Sequence, residues 1–85
     1  MGADERKEPK TVPQAIEQAV RFHQEGRLGE AERLYREALR ASPRNFEALH
    51  LLGALKLQQG EAAEAERLIG AALDVAGPGG RAAPA

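Results

Sequence analysis

Glu30-Ala31-Glu32-Arg33-Leu34 returns unchanged as Glu64-Ala65-Glu66-Arg67-Leu68, an offset of 34 residues. The same offset pairs Gln24 with Gln58, Gly26 with Gly60, Ala38 with Ala72 and Leu39 with Leu73, so residues 12–45 align without a gap on 46–79. A tandem duplication of this period predicts a helix-turn-helix unit that buries its apolar face only by stacking on a neighbour. The expected fold class is therefore all-α: four helices in two antiparallel hairpins, forming one domain over 11–76.

At 85 residues the chain has room for one small domain, and a domain of this size buries only about 60–65% of its unfolded surface. No cysteine is present, so neither disulfides nor thiolate metal sites supplement the core. Twelve Lys and Arg oppose thirteen Asp and Glu, a balance that argues against nucleic acid or an anionic membrane as the main partner. No apolar run approaches the roughly 18–20 residues of a membrane span, and the polar start lacks the hydrophobic segment of a secretory signal. A cytoplasmic location is expected.

Residues 1–10 mix both charge signs and show no apolar period, which predicts a solvated tail. Thr11 can cap a first helix, with Pro13 in the opening turn and Gln14 completing a Thr-x-x-Gln box. Ala15, Ala19 and Phe22 form one stripe and Ile16, Val20 and His23 a second, so this helix should have two neighbours. Gly26 suits the left-handed residue that ends a helix. A second helix over 28–41 carries Leu28, Ala31, Leu34, Tyr35, Ala38 and Leu39 on its buried face. Glu32 with Arg36 and Arg33 with Glu37 are spaced to pair across one turn as ordinary surface charge.

Ser42-Pro43-Arg44-Asn45 is a break, and Asn45 can cap a third helix over 46–59. Phe46, Leu49, Leu52, Gly53 and Leu57 fill one of its sides, while Leu51 and Leu55 make it apolar nearly all round. Gly60 closes it as Gly26 closed the first. The fourth helix, 61–75, is rich in alanine, and Gly77-Pro78-Gly79-Gly80 is expected to stop it, leaving a flexible tail over 77–85.

These residues resemble two repeats of the tetratricopeptide family, over most of the expected ordered region. Leu49, Leu52 and Gly53, then Ala65, Ile69 and Ala72, match its packing positions in the second copy; Ala15, Ala19, Phe22, Ala31, Tyr35, Ala38 and Pro43 match them in the first. Ala19 and Gly53 stand where paired helices approach closest, facing Ala31 and Ala65, and a larger side chain there forces the helices apart. Lys56 departs from the family's aromatic residue and Gln18 from its usual apolar one. The resemblance implies a short right-handed solenoid that binds proteins or peptides along a groove lined by the first helix of each repeat.

On that basis the groove residues are Ile16, Val20, His23, Gln24, His50, Leu51, Ala54, Leu57 and Gln58. Family members that grip a terminal carboxylate use Lys and Asn where this chain has Ile16, Val20 and Leu51, so that mode is not expected. A trough of apolar residues with polar edges suits an apolar helix or peptide. Leu68, Leu73 and Val75 mark the uncapped fourth helix as a self-association face, which makes a homodimer or higher oligomer an expected state. The alternative is an N-terminal repeat segment of a larger bacterial transferase that presents protein substrate.

No chemistry is expected. His23 and His50 lie on different helices with no cysteine near either, so no metal site is assigned. Ser42 reads as loop, Tyr35 as core and Thr11 as cap, leaving no nucleophile with a base. The glycines stop helices rather than cradle phosphate. No catalytic residue and no cofactor is assigned.

Overall fold

A computed structural model describes residues 11–82, with side chains as far as residue 77; the stretches expected to be tails at 1–10 and 83–85 lie outside the described residues. Four helices follow one another: α1 Val12–Gln24, α2 Leu28–Ala41, α3 Phe46–Gln58 and α4 Ala62–Ala82. They form two hairpins, α1 with α2 and α3 with α4, and α3 lies against α2 and α1 to join them.

Local chemistry sets the ends. Thr11 holds an extended backbone, and its Oγ1 accepts the amide of Gln14 at 3.2 Å. Asn45 opens α3 in the same way, with Oδ1 accepting the amide of Ala48 at 2.8 Å. Both hairpin turns use one device. Gly26 and Gly60 each sit at φ +81°, in the left-handed region that a side chain disfavours. Beside them Arg27 N donates to Phe22 O and Glu61 N to Lys56 O, each at 2.9 Å, so the same pair of late carbonyls is satisfied in both repeats.

The core runs through both repeats, with Leu34, Tyr35, Leu52 and Leu55 its largest fully buried side chains. Within the second hairpin α3 approaches α4 at Gly53. A methyl group there would meet Ile69 Cγ1 at 2.6 Å and the carbonyl of Ala65 at 3.4 Å, so the small residue is required by the spacing of the helices. Ala19 and Ala31 of the first hairpin have no exposed surface.

Three expectations fail. Phe46 does not fill the core: it is 42% exposed and stacks flat on His50, one turn along the same helix, with ring centroids 5.7 Å apart. Gly77-Pro78-Gly79-Gly80 does not stop α4, which continues to Ala82. Proline costs one intrahelical hydrogen bond, and the alanine-rich helix already formed ahead of it carries the backbone through. The tail expected over 77–85 is thus helical as far as residue 82. Third, the Glu32–Arg36 pair is not isolated surface charge. It belongs to an ion cluster between the repeats.

Candidate protein-interaction site

That cluster is built on Lys56, whose residue surface is only 8% exposed. Its Nζ lies 3.0 Å from Glu32 Oε2 on α2 and 3.9 Å from Glu64 Oε1 on α4. Arg36 Nη2 is 2.9 Å from an oxygen of each of the same two carboxylates. Two cations thus alternate with two anions across three helices, and among the described residues no buried side-chain nitrogen or oxygen lacks a partner. Burial alone would raise the Glu32 carboxyl, but hydrogen bonds from Lys56 and Arg36 outweigh it and hold it below the usual carboxylate range. The Arg36 hydrogen bond does the same for Glu64. Lys56 departs from the aromatic expected at its position because it works as a charged pin rather than an apolar filler.

A second link crosses the junction on the inner side. His23 Nδ1 lies 3.2 Å from the Tyr35 hydroxyl, and His23 Nε2 makes a close hydrogen bond to Gln58 Oε1. The imidazole thus bridges a hydroxyl and a side-chain amide, groups that can each donate or accept. Burial, aided by the charge of Glu47, pushes the Tyr35 hydroxyl up to about 12, so it remains a donor at neutral pH.

The residues expected to line the groove divide accordingly. Gln24, His50, Leu57 and Gln58 are exposed, and Val20, His23, Leu51 and Ala54 are half-buried. His23 and Gln58 are bonded to each other, whereas His50 is held against Phe46. Ile16 must be struck from the groove: at 5% exposure it belongs to the core, because its stripe on α1 faces the junction with α3. On α4, Leu68 is likewise buried at 7% and Val75 is half-buried against the core, leaving Leu73, 55% exposed, as the open member of the expected self-association face.

Leu73 lines something else. With Leu57, Ala62, Ala65, Glu66, Ile69 and Gly70 it bounds an apolar groove of ≈ 460 Å³ between α3 and α4, on the side of repeat 2 turned away from repeat 1. Apart from Leu57 these residues escaped the reading of the inner helices, because they belong to the outer helix and its turn. The signal for them was the offset. Shifted back by 34, they become His23, Leu28, Ala31, Glu32, Tyr35, Arg36 and Leu39, the side of repeat 1 on which α3 rests.

Stacked helical hairpins with an apolar groove at one end define a helical-repeat scaffold of the kind that holds other polypeptides. A family model described as Tetratricopeptide repeat matches residues 22–82, well over half of the chain. The chain belongs to the tetratricopeptide repeat family, as the paired motifs led us to expect, and such domains serve generally in protein interaction. It is similar to the protein named cellulose synthase 2 operon protein C of Komagataeibacter xylinus, with 44% identity over 52 residues. That alignment covers 61% of this chain and 4% of the relative, so the chain spans only a small part of the length of the curated relative it matches. No solved structure gives a significant match. Among the described residues no helix is long and apolar enough to cross a membrane.

Proposed function

We propose that this chain is a non-catalytic binding module that takes an apolar helix or peptide along its inner helices and into the open groove of repeat 2. The observation that carries this reading is the groove itself: Leu57 and Leu73, each 55% exposed, flank Ile69 in a trough that no other part of the described chain covers. Exposed apolar surface concentrated in one concavity marks a docking site. A fluorescently labelled amphipathic helical peptide should raise its anisotropy on titration with the chain, and Leu57→Glu should remove the effect. A panel of such peptides that leaves the anisotropy flat up to millimolar chain would refute the reading.

Self-association through α4 is a second use of the same surface, favoured by the exposure of Leu73. Light scattering over a concentration series tests it: the mass should rise with concentration in the native chain and stay monomeric in Leu73→Glu. The alternative is a segment that presents protein substrate within a larger bacterial transferase; the 4% share that the matched stretch occupies in its relative supports only the larger size, not the transferase. An open reading frame continuing in frame into a transferase domain would establish it. Either setting is compatible with the cytoplasmic location we assign, which cell fractionation checks.

A further inference from the structure

We infer that the ion cluster between the repeats is a register lock: Lys56, with Arg36, Glu32 and Glu64, fixes the angle at which repeat 2 is laid on repeat 1 while adding little to whether the chain folds. This goes beyond the binding role proposed above and does not depend on it.

The cluster ties three helices into one ring. Lys56 on α3 reaches Glu32 of α2 at 3.0 Å and Glu64 of α4 at 3.9 Å, and Arg36 of α2 closes the ring with Nη2 2.9 Å from each carboxylate. A rotation of the second hairpin moves α4 relative to α2 and opens Arg36–Glu64, whereas a slide of α3 by one turn, about 5.4 Å, carries the ammonium away from Glu32. Either movement leaves Lys56, the one buried charged side chain among the described residues, short of a partner. A buried ion pair adds little net stability because desolvation offsets the attraction, but a buried charge stripped of its partner is costly. The cluster therefore penalises wrong arrangements more than it rewards the right one. The apolar side chains that α3 buries carry no such direction: Ala48, Leu52 and Leu55 have no exposed surface, and apolar burial depends on area rather than orientation.

The duplication gives the lock its task. Both α2 and α4 pack on α3 and carry the same Glu-Ala-Glu-Arg-Leu stretch. Lys56 takes the third residue of one copy, Glu32, and the first of the other, Glu64, so it distinguishes two nearly identical surfaces. Both cations belong to the junction alone. At the offset of 34, Lys56 answers to Phe22, whose ring lies 4.9 Å from the Arg27 guanidinium, and Arg36 answers to Gly70. The other link across the junction, from His23 to Gln58, is an exposed hydrogen bond that water can replace. The inner face is shared between α1 and α3, where Val20 and Leu51 are half-buried, so the same angle sets how far apart those two residues stand.

The test measures that angle in the full chain. No cysteine is present, so spin labels at Arg21→Cys and Ala63→Cys, both exposed positions, report one distance between the repeats by double electron-electron resonance. The parent pair should give a single narrow distribution. Adding Lys56→Met should widen it about twofold or split it, while helical circular dichroism is kept and the melting temperature moves by less than about 8 °C. Adding Gln58→Ala should leave the width unchanged. An unchanged width in Lys56→Met would show that apolar packing fixes the angle and overturn the inference. Broadening by Gln58→Ala alone would give the role to the His23 link and overturn it too. A Lys56→Met chain without helical signal would make the cluster a stability element, which equally ends the proposal.

Discussion

Repeat 1 and repeat 2 turn surfaces of one plan toward different surroundings. Tyr35 is fully buried and Leu39 half-buried against the core, while the equivalent Ile69 is half-buried and Leu73 exposed, both bordering an open groove. At the opposite end of the molecule the contrast reverses. Gln14, Gln18 and Arg21 stand on the outer side of α1, where α3 has the fully buried Ala48, Leu52 and Leu55. One end is polar and the other apolar, from sequence that is otherwise duplicated. A repeat is thus not a self-sufficient unit; what a position must be depends on whether another helix lies over it.

The sharpest way to break this comparison is to exchange one equivalent pair. Leu52→Gln, which installs in repeat 2 the residue found at Gln18, should cost about 4 kcal/mol, from lost apolar burial and an unpaired amide. A domain of this size has little stability to spare, so far-UV circular dichroism should show it largely unfolded at room temperature. Gln18→Leu should leave the fold intact, because Gln18 is only half-buried, between the exposed Gln14 and Arg21.

Next come two glycines with opposite surroundings. Gly53→Ala drives a methyl group to 2.6 Å from Ile69 Cγ1 and should destabilise by about 1–2 kcal/mol. Gly70→Ala meets nothing within 4 Å and should stabilise by about 0.5–1 kcal/mol through helix propensity. Urea midpoints for the two variants should therefore move apart in opposite directions.

The ion cluster predicts a pH response. Folded-state carboxyls held below their ordinary value contribute stability that is present above about pH 4.3 and lost as pH falls through the depressed values; Glu32 and Glu64 are both shifted this way. Acidification below the ordinary carboxylate range should lower the melting temperature of the native chain. Lys56→Met, which removes one cation from Glu32 and fills the same space, should make that decline shallower while changing neutral-pH stability by under about 1 kcal/mol.

The smallest effect compares Leu39 with its counterpart. Leu39→Ala uncovers part of the core and should cost about 1 kcal/mol, whereas Leu73→Ala, at an exposed position, should stay within about 0.5 kcal/mol. Equal costs in denaturant melts would show that the groove is not open in solution.

The sequence by itself determined the four helices, the two glycine turns, the Thr11 and Asn45 caps and the family. Each follows from local rules: apolar spacing along a helix, a side-chain oxygen beside free amides, a residue without Cβ at positive φ, and a period repeated within one chain. Only the tertiary structure decided that Ile16 and Leu68 are core, that Lys56 is pinned between Glu32 and Glu64, and that α4 runs on past Pro78. The physical reason is that burial and ion pairing depend on which helices meet: Glu32 and Glu66 close the same Glu-Ala-Glu stretch, yet Glu32 is paired by Lys56 from α3 as well as by Arg36 one turn on, whereas Glu66 is exposed with Gly70 in the place of Arg36.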